Sequence, residues 1–224
     1  MKRPGFLVLL GLVMAGLLLT AVTPASAGQT AQTGGQPITG YIALTFDDGP
    51  SGVITRRLLE GLAERQVRAT FFLCGYRLEQ YPEIAPLIAA GGHEIGLHGY
   101  SHDSMKEMSR ATLIQELEQT AALIQEQTGI MPTLLRPPGG CCSETVRSVA
   151  EERGLRIILW TVDPRDWACH DAKELTRRIV SETADGDIVL LHDMWNASVD
   201  GALAAIDRLR AQGYVFVTVS ELGF

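Results

Sequence analysis

Two short segments carry the side chains whose types and spacing point most directly to chemistry. The first reads TFDDGP over residues 45–50 and places Asp47 and Asp48 side by side, where an apolar run breaks into a turn. The second reads HGYSH over residues 98–102 and places His98 and His102 four residues apart. One carboxylate and two imidazoles form a ligand set that holds a divalent metal and leaves coordination positions open. The remaining carboxylate could then serve as a general base beside the ion.

Three further polar motifs follow later in the chain. Arg136 begins RPPGG, and an arginine that faces a carboxylate would orient it and favour its ionised form. The segment DPRDW, residues 163–167, offers two carboxylates and a tryptophan that could be plain core or could wall a sugar-binding groove. His192 in LLHD ends an apolar run, and a histidine held by a carboxylate is the usual form of a general acid at neutral pH.

Each motif also has a plain structural interpretation. Asp-Gly-Pro is a common turn sequence, and two histidines four residues apart are often incidental. The chemical interpretation is favoured because these polar residues cluster at the carboxyl ends of predicted strands and would therefore gather at one edge of a sheet.

The elements that would position these motifs alternate regularly from Gly40 onward. β-branched or aromatic runs and stretches of helical periodicity predict seven strands and six helices. The predicted strands are Tyr41–Phe46, Ala69–Leu73, Glu94–Leu97, Leu134–Arg136, Arg156–Val162, Asp187–His192 and Tyr214–Val219. The predicted helices are Thr55–Gln66, Pro82–Ala90, Arg110–Gln127, Glu144–Arg153, Lys173–Thr183 and Val199–Ala211.

Strand–helix alternation indicates parallel strands joined by crossover helices. This alternation of strands and helices is compatible with either an open doubly wound sheet or a barrel. Functional residues contributed by many strand ends on one face are typical of barrels. We therefore predict an α/β fold, a distorted (β/α) barrel of about seven parallel strands.

The composition is that of a globular protein. The 224 residues are 46% hydrophobic and 20% charged, which suffices for one sizeable domain with its own core. The net charge of −7 argues against a nucleic-acid partner but is compatible with a neutral glycan.

The N-terminus reads as a targeting segment. Lys2 and Arg3 precede an apolar run from Phe6 to Val22, and Ala25-Ser26-Ala27 is a small-residue cleavage site. We expect a signal peptide at residues 1–27, a flexible linker at 28–39, a catalytic domain at 40–224, and a secreted protein. An uncleaved segment that associates with the membrane is the alternative.

The cysteines leave two readings open. An extracytoplasmic location would permit disulfides among Cys74, Cys141, Cys142 and Cys169, and four free thiols are equally compatible with the sequence. No C-x-x-C spacing occurs among them, so a four-cysteine zinc site is not expected.

The five motifs TFDDGP, HGYSH, RPPGG, DPRDW and LLHD, in this order, resemble those of the polysaccharide deacetylase family (carbohydrate esterase family 4, the NodB homology domain). The resemblance covers roughly residues 40–220. Five motifs in order, with family-like spacing, are a far more specific signal than any one of them.

The resemblance implies a role for each matched residue. Asp47 would be the catalytic base, and Arg136 would hold it. Asp48, His98 and His102 would bind the metal, usually zinc, with cobalt or manganese sometimes accepted. His192 would be the catalytic acid, supported by Asp166, with Asp163 as the alternative support. Trp167 and Leu190 would enclose the acetyl methyl, and a backbone N–H near Gly139 would stabilise the oxyanion.

Two positions depart from the family pattern. Gly99 stands where the family commonly has serine or threonine, and Tyr100 or Ser101 could replace the lost hydroxyl. Gly139 stands where the family commonly has tyrosine, so a ring that shapes the groove is missing.

The expected function is metal-dependent hydrolysis of N-acetyl groups on amino sugars of an extracellular polysaccharide, with peptidoglycan favoured over a chitin-like glycan. An O-deacetylase of the acetylxylan-esterase kind is one alternative. An inactive member of the fold that binds glycan or metal is another. The expected partner is the polysaccharide substrate alone, bound by a monomer, with no protein partner evident.

Overall fold

The computed structural model describes residues 37–223. The predicted signal peptide and most of the predicted linker therefore lie outside the described residues. Within this range, no helix combines the length and the apolar character that crossing a bilayer requires.

Strands and helices alternate along the described chain. The strands are β1 Gly40–Gly49, β2 Thr70–Leu73, β3 Glu94–Leu97, β4 Leu134–Leu135, β5 Arg156–Ile157, β6 Ile188–His192 and β7 Tyr214–Val217. The helices are α1 Val53–Glu64, α2 Gly75–Gln80, α3 Ala85–Ala90, α4 Arg110–Thr128, α5 Glu144–Glu152, α6 Ala172–Glu182, α7 Asn196–Ala211 and α8 Val219–Leu222. Single 3₁₀ turns lie at Met105–Glu107, Pro138–Gly140 and Asp166–Ala168.

The seven strands form one parallel sheet in the order β5-β4-β3-β2-β1-β6, with β7 paired to β1. The first residues of β1 pair with β7, and Ala43 to Asp47 pair with β6. A bridge between Val162 and Val189 joins the segment after β5 to β6, so the two ends of the strand order are brought together. The sheet is therefore curled, and the predicted α/β class with about seven parallel strands in a distorted barrel is confirmed.

Strand β1 is the centre of this sheet. It contacts β2, β6 and β7, and Ile42, Leu44 and Phe46 are all at most 1% exposed. A strand covered on both faces reads as a nearly continuous apolar run, which is what residues 41–46 show. Its carboxyl end carries Asp47 and Asp48 to the edge where the other strands also end.

Several predicted elements have different bounds in the structure. The predicted strand Tyr41–Phe46 continues to Gly49, and the predicted helix Val199–Ala211 begins earlier, at Asn196. The predicted strand Arg156–Val162 is divided: β5 pairs with β4 for two residues, and Val162 then pairs with β6. The predicted strand Tyr214–Val219 ends at Val217, because the Thr218 side chain caps α8 in a capping box with Glu221. The predicted helix Pro82–Ala90 begins only at Ala85.

Two short helices, α2 and α8, were not predicted. Each is six residues or fewer, too short to show a helical period in sequence.

The sequence left open whether the cysteines form disulfides. In the described structure Cys74, Cys141, Cys142 and Cys169 are all free thiols.

Candidate active site

Asp48, His98 and His102 form a compact cluster at the carboxyl edge of the sheet. One ligand atom from each residue lies within 4.8 Å of the others. Asp48 Oδ1 is 3.2 Å from His98 Nε2 and 2.9 Å from His102 Nε2. Asp48 comes from the end of β1, whereas the two histidines come from the end of β3 and the loop after it.

The donor chemistry of this cluster fits a metal ion. His98 Nδ1 lies 2.6 Å from the carbonyl oxygen of Arg136, so Nδ1 carries a proton and donates it to that oxygen. His98 Nε2 is then a lone-pair donor that faces Asp48. Asp48 Oδ1 is buried and has no hydrogen-bond donor of suitable geometry among the described residues. A carboxylate and imidazole nitrogens that face one another in this way fit a shared cation.

The backbone at two of the three cluster residues is strained. Asp48 and His102 both have φ of 69°, in the left-handed region that side chains with a Cβ rarely adopt. Such strain persists only where the surrounding structure enforces it, and it concentrates at functional sites.

The cluster also shifts the pKa of its own members. Burial alone would raise the pKa of Asp48, but His102 and His98, when each carries a proton on Nε2, outweigh burial and hold the pKa of Asp48 well below its usual range. The contact with Asp48 raises the pKa of His102, although burial opposes this. The carboxylate is therefore ionised and available as a ligand.

Arg136 and Asp47 form a buried ion pair beside the cluster. Arg136 Nη1 donates to Asp47 Oδ1 at 2.8 Å and to Thr45 Oγ1 at 2.6 Å. Arg136 is 0% exposed and Asp47 is 2% exposed. The second carboxylate oxygen, Asp47 Oδ2, is 3.8 Å from His98 Nε2. One oxygen of Asp47 is thus held by the arginine while the other faces the cluster.

His192 lies on the other side of the cluster and is held by Asp166. His192 Nδ1 is 2.7 Å from Asp166 Oδ1, and its backbone N–H donates to Asp166 Oδ2 at 2.8 Å. His192 Nε2 is left facing Asp48 Oδ2 at 3.9 Å. Asp163 does not contact His192; its carboxylate accepts the Arg165 N–H and holds the turn that presents Asp166.

The pKa of His192 reflects this neighbourhood. Burial would lower the pKa, but the hydrogen bond and charge of Asp166, with the charges of Asp48 and Asp47, raise it to about 9. The imidazole is therefore protonated at neutral pH. The cluster thus has an ionisable carboxylate on one side and a protonated imidazole on the other, which is an arrangement for paired base and acid chemistry.

The remaining site candidates lie around this centre. Trp167 is 46% exposed, with the Arg165 guanidinium 5.1 Å from its ring centroid. Leu190 is 5% exposed in β6, opposite Thr45 in β1. Gly139 has φ of 64° and open space where a Cβ would project. Their predicted roles toward substrate remain predictions.

Two contacts at the site were not found from sequence. The ring of Trp195 makes an edge contact with His192, with centroids 5.8 Å apart. Its position three residues after His192 was a usable signal. Thr55 in α1 donates to the carboxylate of Asp193, which is 0% exposed and follows His192 directly. Nothing in the sequence links residues so far apart.

Replacing Thr55 by valine is expected to lower the free energy of unfolding by about 1–3 kcal/mol at pH 8. Burial raises the pKa of Asp193 to about 7, so its carboxylate is mostly ionised at pH 8 and would lose its only side-chain donor among the described residues. Chemical denaturation measures the effect. Thr120→Val is the control, because the Thr120 side chain is equally buried and its hydroxyl donates to Glu116 O within its own helix. Equal losses in the two variants would contradict the prediction.

Comparison with known proteins identifies the family of this arrangement. The family model described as polysaccharide deacetylase matches residues 34–158. The chain is 37% identical over 181 residues to the peptidoglycan-N-acetylmuramic acid deacetylase PdaC of Bacillus subtilis, covering 81% of this chain and 38% of that protein. It is 38% identical over 186 residues to a peptidoglycan-N-acetylglucosamine deacetylase of Bacillus cereus, covering 81% of this chain and 87% of that protein.

Solved structures give the same result for the fold. The structure of PdaC superposes with a TM-score of 0.78 and 36% identity, over 84% of this chain and 91% of that one. A pseudoenzyme of carbohydrate esterase family 4 from Bacillus anthracis also reaches a TM-score of 0.78, at 29% identity, over 84% of this chain and 66% of that one. The fold is therefore shared by active and inactive proteins. The chain spans only 38% of the length of the first relatives it matches.

Proposed function

The chain belongs to the polysaccharide deacetylase family, and from this premise we propose that it is a metal-dependent hydrolase that removes N-acetyl groups from amino sugars of peptidoglycan. The observation that carries the proposal is that Asp47 and His192 each lie within 4 Å of a member of the Asp48–His98–His102 cluster. This convergence favours an active enzyme over an inactive member of the fold.

Asp48, His98 and His102 would hold the ion, for which zinc is the first choice, with cobalt and manganese as alternatives. When bound, the metal would polarise the acetamide carbonyl and lower the pKa of a coordinated water. Arg136 would hold one oxygen of Asp47, and this leaves the other oxygen to accept the proton of the attacking water.

His192 would complete the reaction as the general acid. Amide hydrolysis requires protonation of the leaving nitrogen, because an amide anion is a very poor leaving group. The proton on His192 Nε2 is available, since Nδ1 is engaged by Asp166. The Gly139 N–H would stabilise the developing negative charge, and Trp167 and Leu190 would enclose the acetyl methyl.

Replacing Asp166 by asparagine is expected to move the alkaline limb of the kcat/KM–pH profile to lower pH. A general acid works only below its pKa, and removal of the Asp166 charge lowers the pKa of His192 from about 9. The profile is measured on zinc-loaded protein. Asp163→Asn is the matched control, because Asp163 contacts the Arg165 N–H and not the histidine. An unshifted limb in the Asp166 variant would remove its assigned role.

The proposed location is outside the cytoplasm, from the predicted signal peptide at residues 1–27, and the proposed state is a monomer. The proposal covers both amino sugars of peptidoglycan as the residue that loses its acetyl group. One relative is named for N-acetylmuramic acid and others for N-acetylglucosamine, at nearly equal identity of 37% and 38%.

The proposal is tested by mass spectrometry of muropeptides incubated with zinc-loaded protein. The expected result is loss of one acetyl group from a fragment whose position identifies the sugar. Chitooligosaccharide and acetylated xylan are assayed in parallel. Acetate release from xylan alone would favour the O-deacetylase, and release from no substrate, with zinc bound, would favour the inactive member of the fold.

A further inference from the structure

The loop that carries the second histidine of the cluster has an unusual backbone. Residues 99–102 connect β3 to the following turn without forming helix or strand. Gly99 has φ of 81° and His102 has φ of 69°. Such a loop cannot satisfy its own backbone polar groups, so its conformation depends on contacts from neighbouring elements.

Residues of two helices hold the backbone of this loop. The N–H groups of Gly75 and Tyr76, at the start of α2, donate to the carbonyl oxygens of Gly99 and Tyr100 at 3.0 and 3.1 Å. From α4, Glu116 Oε2 accepts the N–H of Tyr100 at 2.7 Å and the N–H of Ser101 at 2.9 Å. One carboxylate oxygen therefore fixes two successive peptide groups between the two histidines.

The hydroxyl groups of Tyr100 and Ser101 have other partners than the peptide groups that Glu116 holds. The Tyr100 hydroxyl donates to Glu79 at 2.8 Å, and the Ser101 hydroxyl accepts the Asp103 N–H at 3.1 Å. Each hydroxyl therefore has a contact that helps to hold the loop, but neither contacts the two peptide N–H groups that Glu116 holds. A Cβ at position 99 would lie 2.9 Å from the Met105 methyl and 3.4 Å from Glu116 Oε2, so it would collide with the methyl and only touch the carboxylate.

The strength of this contact follows from its charge. Hydrogen bonds to an ionised carboxylate are shorter and stronger than those between neutral groups. A loop held in its binding conformation before the ligand arrives also loses less conformational freedom on binding. Residues that hydrogen-bond to the ligands of a metal, without contacting the metal themselves, often determine how tightly the site binds it.

We propose that Glu116 is a positioning residue that fixes the 99–102 loop and thereby sets the metal affinity of Asp48, His98 and His102. The proposal rests on the proposed function of that cluster as the metal site. Glu116 acts through the backbone of Tyr100 and Ser101 and does not touch metal or substrate.

The test measures the zinc affinity of the protein by competition with a chromophoric chelator. It also records the visible spectrum of the cobalt-substituted protein. Glu116→Ala is expected to weaken zinc binding about 10- to 100-fold and to alter the cobalt spectrum. Amide hydrogen exchange at Tyr100 and Ser101 is expected to become faster in this variant. Glu116→Gln keeps an oxygen acceptor without the charge and is expected to bind zinc with intermediate affinity.

Glu126→Gln is the matched control, because Glu126 is an exposed residue of the same helix and its substitution removes the same charge. Zinc affinity of Glu116→Ala within twofold of the unsubstituted protein would overturn the proposal. If that variant does not fold, equal zinc affinities of Glu116→Gln and Glu126→Gln would overturn it instead.

The outcome is separable from that of the proposed function. Weakened zinc binding in the Glu116 variants, with an unsubstituted protein that releases no acetate, would refute the deacetylase and leave the positioning role. If the unsubstituted protein releases acetate and substitution of Glu116 leaves the zinc affinity unchanged, the positioning role is refuted and the deacetylase stands.

Discussion

Replacing Asp47 by asparagine is expected to lower kcat/KM for acetate release by about 10²- to 10⁴-fold, the usual contribution of a positioned general base. The amide has nearly the shape of the carboxylate and still offers an oxygen to Arg136 Nη1, so the site geometry is retained. It cannot accept a proton from water. The measurement is acetate release from muropeptides by zinc-loaded protein.

Two controls make this result specific to the proton transfer. Zinc affinity should be largely unchanged in Asp47→Asn, because Asp48 rather than Asp47 is the carboxylate proposed as ligand. Asp163→Asn makes the same carboxylate-to-amide change at a residue that only holds a turn, and we expect its turnover to stay close to that of the unsubstituted protein. Full turnover in Asp47→Asn would refute its role as the base.

Replacing Arg136 by methionine is expected to destabilise the fold by about 3–5 kcal/mol, the cost of breaking a buried ion pair from one side. The arginine is 0% exposed, and its guanidinium stacks on Phe72 at 4.2 Å. It also donates to the carbonyl oxygens of Ile158 and Leu159 at 3.1 and 2.9 Å. The variant leaves the Asp47 carboxylate buried without its counter-charge and both carbonyls without this donor.

A double-mutant cycle separates the charge from the packing. In Asp47→Asn with Arg136→Met no unpaired carboxylate remains, so the combined loss should be smaller than the sum by about 0.5–3 kcal/mol. Chemical denaturation provides the free energies. Arg147→Met, at a side chain that is 58% exposed, is the control and should change stability by about 0.5 kcal/mol or less. Strict additivity would mean that the ion pair contributes no coupling.

The same arginine explains why an irregular segment follows β5. Residues 158 and 159 give their carbonyl oxygens to Arg136 instead of to a neighbouring strand. The apolar run 156–162 therefore predicted one strand where the structure has two short pairings with different partners. The period of a sequence reports which residues are buried, but it does not report which backbone groups a distant side chain will take.

The sequence by itself determined the parallel α/β architecture, and it identified the residues that meet at the cluster. Both follow from local patterns: strand–helix alternation fixes the direction of successive strands, and strand ends collect polar residues at one edge. Residue types alone indicate that Arg136 could face a carboxylate, and the resemblance to the family implies that this carboxylate is Asp47, which the structure confirms.

Only the tertiary structure decided which of two equivalent carboxylates supports His192. Asp163 and Asp166 are three residues apart in one motif, and the turn between them directs Asp166 to the histidine and Asp163 to a backbone N–H. It likewise revealed Glu116, a mid-helix glutamate with no local mark of its contact with the loop. Contacts between residues distant in sequence depend on the three-dimensional path of the chain, and no local pattern encodes that path.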